Sequence, residues 1–367
     1  MVIFVCYSYD PFTTGGYLEK AFRRFHEVHY VGPPSCGRPG YSADQDVTTL
    51  VGNGRLPRPD LVIFIDSPYG LFPRGLERCP CPTACYLIDV HQDFNLRLQY
   101  AYFFDFVFCA QKDYIPVLRN KGFNNVFWLP LACDPEIHRK RRLPKIYDIG
   151  FVGNWRHPRR LRLLTLLANY FTLNDFRRVY PKEEIATIYS QSKIVFNCSV
   201  NGDLNMRVFE ALASGTMLVT DHIENGLDDI CEDGVHLVTY RDERSLLERV
   251  RHYLEHDDER EAIAEAGMQL VLDKHTYYHR VKEILETVFV RHSEWQYAAK
   301  VRFMNPKDLH RTYAKLYSKL GLVDLSIEEF SIAWMEKVGW LETARYIIEA
   351  LGRRLNKTLR FTRLFRR

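Results

Sequence analysis

Five short runs, "DLVIFID" from Asp60, "TACYLID" from Thr83, "DFVFCA" from Asp105, "KIVFNC" from Lys193 and "TMLVT" from Thr216, are apolar on consecutive residues rather than on alternate ones. A strand with one wet face alternates; a strand apolar on both faces must be covered on both. Amphipathic helical stretches separate several of these runs, among them "YLEKAFRRF" and "QKDYIPVLRNKG". Strands alternating with helices predict parallel sheets with helices on both faces, a doubly wound α/β architecture.

The pattern starts twice. "MVIFVCYS" opens a first set as a strand, followed by a loop holding Gly15 and Gly16 and then a helix. "LACDPEIHRKRRLPK" is polar, basic and proline-bearing and reads as a linker. "YDIGFVGN" then opens a second set that continues through "GVHLVTY", with closing helices starting near Arg241, Asp258 and His275. The expected organisation is a first Rossmann-like domain over 1–133, a linker over 134–146, a second Rossmann-like domain over 147–291, and a helical extension over 292–367. Within the extension, "SIEE" at Ser326 resembles a capping box, and Gly321 and Gly339 read as helix breaks. Two such domains would face one another across a cleft at the C-terminal ends of their strands.

In "NMRVFEALASGTMLVTD", Asp203 or Asn205 can cap a helix, Val208, Phe209 and Leu212 share a face, and Gly215 supplies the stop. Glu210 is a carboxylate inside that apolar helix. It either faces solvent or accepts hydrogen bonds from the hydroxyls of a ligand.

Composition narrows the function classes. With 46% apolar and 26% charged residues the chain reads as globular, and no stretch approaches the 18 uncharged apolar residues of a membrane span. The apolar run at the N-terminus is too short for a signal peptide, and nine cysteines, an odd number, fit reduced thiols, so a cytoplasmic location is expected. Cys79 and Cys81 lack a second ligand pair, so no zinc site is predicted. The net charge of +4 conceals an uneven spread: residues 351–367 hold seven Arg or Lys and no acid, leaving −3 for residues 1–350. A nucleic-acid-binding body is disfavoured. The basic, leucine-bearing tail predicts either a solvated terminus or a helix on an anionic membrane surface.

Four stretches resemble the group 1 glycosyltransferases of the GT-B fold, in their spore-maturation (CgeB-like) branch: "YDIGFVGNWRHPRRLRLL", "SKIVFNCSVNGDLNMRVFEALASGTMLVTD", "EDGVHLVTYRDERSLLERVRHYLEHDDEREAIAEAG" and "HTYYHRVKEIL". Together they cover most of residues 147–285. The resemblance implies transfer of a sugar from a nucleotide-sugar, UDP-linked before GDP- or dTDP-linked, to a glycan, lipid-linked or protein acceptor. It implies no metal and no other cofactor. Glu210 falls on the family's ribose-binding glutamate. Arg207 and Arg160 are candidate cations for the phosphates, with Gly153 and Asn154 at the strand end and Asn205 and Met206 at the helix start completing the donor side. Gly15 and Gly16 resemble the family's glycine loop near the donor. In "YLIDVHQDFN", Asp89, His91 and Asp93 follow a buried strand, and His91 is the candidate base, with Asp10 a rival. The acid that many relatives carry eight positions before Glu210 is here Gly202, beside Asp203. The stretch between Tyr170 and Ile185 is short for a full strand–helix unit. A nucleotide-sugar epimerase of the same fold, or a non-catalytic nucleotide-sugar-binding scaffold, are the competing functions.

Overall fold

The computed structural model describes residues 1–34, 46–52, 54, 56–66, 72–291 and 298–335. The basic tail 351–367 and Gly339 lie outside them. The chain divides into two compact units: residues 1–109, 114–127 and 287–367 form one, and residues 110–113 with 128–286 form the other.

The first unit carries β1 (Val2–Cys6), α1 (Thr14–Arg23), β2 (Glu27–Val31), α2 (Val47–Gly52), β3 (Leu61–Ile65), β4 (Thr83–Leu87), α3 (Phe94–Ala101), β5 (Phe106–Cys109), α4 (Tyr114–Asn120) and β6 (Val126–Trp128). Its sheet runs β2-β1-β3-β4-β5-β6, so the winding direction reverses between β1 and β3. The β1–β2, β1–β3, β3–β4 and β4–β5 pairs are parallel, with Ile3 opposite both Val28 and Leu61 and with Ala84 opposite Phe106. All five residues of β3 and of β4 are buried, as strands apolar on both faces must be.

The second unit carries β7 (Tyr147–Gly150), α5 (Pro158–Ala168), α6 (Ile185–Ser190), β8 (Ser192–Phe196), α7 (Met206–Ala213), β9 (Met217–Asp221), β10 (Val238–Tyr240), α8 (Glu243–Glu255), α9 (Asp257–Lys274) and α10 (Tyr277–Glu286). Its sheet is β10-β9-β8-β7, parallel throughout. Where a further strand would flank β7, Leu173 makes only a single bridge to Ile149. Asn174 then stands in for strand backbone: its side-chain amide both accepts from Phe151 N (2.8 Å) and donates to Phe151 O (2.9 Å). This is the reduced unit that the short 170–185 stretch predicts.

The helical extension continues as α11 (Pro306–Leu320) and α12 (Val323–Met335) and belongs to the first unit. Asp105, fully buried, fastens it: Oδ1 accepts from Ala298 N, Ala299 N and Arg302 Nε, while Oδ2 accepts from Arg302 Nη2, Thr83 N and Thr83 Oγ1. Charge neutralisation and full use of the carboxylate's lone pairs are what make such a buried ion tolerable.

Two local expectations need correction. Gly15 and Gly16 are not loop residues; they form the first turn of α1. A Cβ at Gly15 would run into the Tyr7 ring and one at Gly16 into the Asp10 carbonyl, so the glycines let the helix start tight against the β1 loop. Ser326 does not cap a helix. It lies inside α12, fully buried, and its hydroxyl donates to Ala314 O of α11 (3.0 Å), a packing contact that the local "SIEE" pattern does not encode. Gly321, in the left-handed region at φ 74°, does separate α11 from α12.

Candidate functional site

In the second unit the site grows from the ends of β7 and β8 and the start of α7. Asn205 takes the N-cap backbone position of α7, but its side chain makes no capping bond. Its amide nitrogen instead donates to Asn197 Oδ1 (3.3 Å), and its own Oδ1 is buried without a partner among the described residues. Met206, the first helical residue, receives a hydrogen bond on sulfur from Tyr277 Oη (3.2 Å). One residue on, Arg207 reaches back across the sheet end. Its Nε and Nη2 donate to Val152 O (3.1 and 3.0 Å), its Nη1 donates to Asn197 Oδ1 (2.7 Å), and its guanidinium lies 4.4 Å from the centroid of the Phe151 ring.

Arg160, on α5, approaches the same ring at 5.8 Å. It is buried rather than solvated: Nε and Nη2 donate to Cys198 O (3.0 and 2.5 Å) and Nη1 donates to Asn154 O (2.5 Å). Burial and then the neighbouring Arg207 charge bring its pKa down to about 10. Two guanidiniums thus flank one aromatic ring, and among the described residues their hydrogen-bond acceptors are all neutral. Such a pair favours the approach of an anion, because added negative charge offsets repulsion that the protein leaves standing. Asn154 is exposed, its Oδ1 accepting from Arg156 N (3.0 Å). Gly153 adopts φ 138°, and a Cβ there would collide with Arg207 Nη2.

Glu210 is not solvent-facing: only 7% of it is exposed. Among the described residues its carboxylate makes no hydrogen bond, and its ion-pair-range neighbour is His138 Nε2, 3.5 Å from Oε1. A buried carboxylate short of donors is a site for hydroxyl or amine donors. Tyr189 links it electrostatically to Arg207. Burial raises that phenol well above its ordinary range, and Arg207 and then Glu210 act on it in opposite directions. Asp203, beside Gly202, is buried and accepts from Val200 N (2.9 Å), closing a loop turn before α7.

In the first unit, Asp89, His91 and Asp93 follow β4. Asp89 sits at φ 53°, a left-handed conformation that costs about 1 kcal/mol or more for a residue with a Cβ. His91 Nδ1 is buried and has no partner among the described residues. Asp93 is exposed and caps α3, accepting from Leu96 N (3.0 Å), so its carboxylate already serves the helix start. Asp10 closes a turn, accepting from Phe12 N (2.9 Å). Sequence reasoning misses Asp66, just past β3. Its Oδ2 accepts from Arg97 Nε (2.8 Å) and Ile88 N (3.2 Å), while Oδ1 is buried and has no partner among the described residues. Burial pushes its pKa up to about 6 against the pull of Arg97. Sequence reasoning also misses His138 and Asn197: the first sits in a basic stretch that reads as linker, the second at the end of an apolar strand run, and neither setting marks a site residue.

The cysteines among the described residues are buried and form no disulfide with one another. Burial raises the Cys79 thiol strongly and Cys81 to about 11. No helix of the described residues is long and apolar enough to cross a membrane.

Residues 137–286, all within the second unit, match a family model described as glycosyl transferase-like. No curated protein sequence matches the chain. Solved structures do. HepE of Anabaena in complex with UDP and glucose aligns with a TM-score of 0.57 at 12% identity, covering 78% of this chain and 98% of that one. Sucrose-phosphate synthase of Thermosynechococcus elongatus aligns at 0.54 and 10% identity, over 80% of this chain and 100% of that one. A glycosyltransferase of Rickettsia africae aligns at 0.54 and 10% identity, over 78% and 97%. The chain therefore has the GT-B glycosyltransferase fold, a helical C-terminal region included, and its second unit carries the glycosyl transferase-like family match.

Proposed function

We propose that this protein is a glycosyltransferase that moves a sugar from a nucleotide-sugar donor, bound by the second unit, to an acceptor bound by the first. The observation that carries this reading is Glu210: a buried carboxylate without a hydrogen bond among the described residues, about one helical turn from Arg207 on α7. In the reaction Glu210 accepts hydrogen bonds from the ribose hydroxyls. Arg207 and Arg160 face the diphosphate, whose charge grows as the anomeric carbon–oxygen bond breaks, and cations fixed before the reaction stabilise that charge without reorganising. The same two cations supply the role that a metal has in other transferases. The acceptor hydroxyl forms the new bond to the anomeric carbon and gives its proton to a base in the first unit. His91, with its unpartnered ring nitrogen, is the candidate, and Asp89 the next.

A uridine nucleotide is the favoured donor, since HepE structures of this fold hold UDP with glucose and UDP-glucose. The "LNMRVFEALASG" run supports the spore-maturation branch. The acceptor class that follows is a glycan, lipid-linked glycan or protein, and for a lipid-linked one the basic tail 351–367 offers contact with an anionic membrane. Co-sedimentation with anionic vesicles, abolished by truncation after Ala350, tests that contact.

The function is tested by thermal shift with UDP, GDP, dTDP and CMP, followed by incubation with the matching sugar nucleotides. A bound ligand at 100 times its Kd adds about 2.7 kcal/mol of stability. Stabilisation by UDP and slow hydrolysis of the UDP-sugar without acceptor are expected. Interconversion of two UDP-sugars would identify an epimerase, and binding without turnover a scaffold.

A further inference from the structure

His138 lies in a polar, basic stretch that reads as linker, yet its side chain is fully buried. The turn that holds it is closed from both sides. His138 N donates to Asp134 O (2.8 Å), and Asp134 N donates to His138 Nδ1 (3.0 Å). The segment before the turn is pinned to the start of α10: Cys133 N donates to His275 O (3.1 Å), and Tyr277 N donates to Cys133 O (3.0 Å). Ser214 at the end of α7 ties the turn to the helix, its hydroxyl lying 2.8 Å from Glu210 O and 3.4 Å from His138 O.

A ring nitrogen that accepts a hydrogen bond carries no proton, so the neutral imidazole holds its proton on Nε2. That nitrogen faces Glu210 Oε1 at 3.5 Å. The separation is long for a formed hydrogen bond, and contacts of this kind shorten when a ligand closes the site. We propose that His138 is the positioning residue of Glu210: its Nε2–H holds Oε1 and so turns Oε2 toward the ribose hydroxyls. The proposal rests on the reading of Glu210 as the ribose ligand. It explains why a buried imidazole, 72 residues before the glutamate it faces, is fixed in one tautomer by the Asp134 amide.

Two substitutions separate the roles of the two ring nitrogens. In His138→Asn the amide oxygen can still accept from Asp134 N, but no donor reaches Glu210. In His138→Gln the amide nitrogen falls where Nε2 was. Calorimetric titration with UDP and with 2′,3′-dideoxy-UDP reads how much each protein prefers a ribose bearing hydroxyls. Wild type should prefer UDP by about 10-fold or more, the worth of one or two buried hydrogen bonds. His138→Asn should lose most of that preference with little change in dideoxy-UDP affinity, and His138→Gln should retain it. In a Glu210→Gln background, adding His138→Asn should change nothing further. If His138→Asn weakens both nucleotides equally, or keeps the wild-type preference, the proposal is wrong while the ribose reading stands. If wild type binds both nucleotides equally well, the ribose reading falls and the proposal falls with it.

Discussion

Arg207 Nη2 occupies the space that a Cβ on residue 153 would take, so glycine at 153 and the docking of Arg207 on the Val152 carbonyl require one another. Gly153→Ala should therefore displace the guanidinium and also strain a backbone at φ 138°. We expect UDP affinity to fall about 10-fold or more, with a loss of about 1–3 kcal/mol in stability. Titration calorimetry and chemical denaturation measure both. Unaltered UDP binding would mean that Arg207 does not meet the diphosphate.

Glu210→Ala should separate binding from folding. Removing a buried carboxylate that lacks a hydrogen bond costs the fold little, whereas ribose hydroxyls without their acceptor lose about 1–3 kcal/mol of binding. The melting temperature should hold or rise while the Kd for UDP increases roughly 10- to 100-fold. A variant that melts early and binds normally contradicts this assignment.

Neighbouring residues in the "DVHQD" loop should respond differently. His91→Ala is expected to lower kcat by about 100-fold or more with donor KM little changed. Asp93→Ala should instead cost about 1 kcal/mol of stability, the worth of a helix cap, and leave kcat within a few-fold. Steady-state rates together with melting curves distinguish the two. If His91→Ala is fully active, Asp89 is the next base to test.

Asp66 gives stability a pH dependence of definite sign. Its carboxyl is raised from 3.8 to about 6 in the folded protein, so between those values the native state keeps a proton that the unfolded chain has lost. Its contribution is fully present below about pH 4, falls as pH rises, and is gone above about pH 6, a change of about 3 kcal/mol. Asp66→Asn cannot titrate. The stability of the variant minus that of wild type should climb between about pH 4 and 6 and be flat on either side. Urea denaturation across that range is the measurement, and a flat difference curve would refute it.

The extension should prove integral to the first unit. Arg302→Ala leaves Asp105 as a buried charge whose cation is gone, a change that costs about 3–5 kcal/mol. Denaturation of the full chain should show the first unit unfolding at lower urea. A midpoint that does not move would make residues 298–303 a peripheral attachment.

What the sequence determined by itself is whatever depends on neighbours along the chain. Runs such as "LVIFI" and "ACYL" are apolar at every position, which commits them to parallel sheets covered on both faces. The spacing of Val208, Phe209 and Leu212 with Gly215 behind them places α7 and its stop, because a helix and its cap are built from residues a few positions apart. The brevity of 170–185 foretells the missing strand, though not that the Asn174 amide would take over its hydrogen bonds. What only the tertiary structure decided is the partner of each polar atom. Arg160 reads as a candidate cation for the phosphates, and only the fold shows it buried against the Cys198 carbonyl; Gly15 and Gly16 read as loop and form a helix turn against Tyr7 and the Asp10 carbonyl. Asp66 acquires its raised pKa from burial, and Glu210 meets His138 across 72 residues of chain. Hydrophobic periodicity is a local property, but desolvation and hydrogen bonding are fixed only when remote segments pack, so the site's electrostatics are settled by the fold.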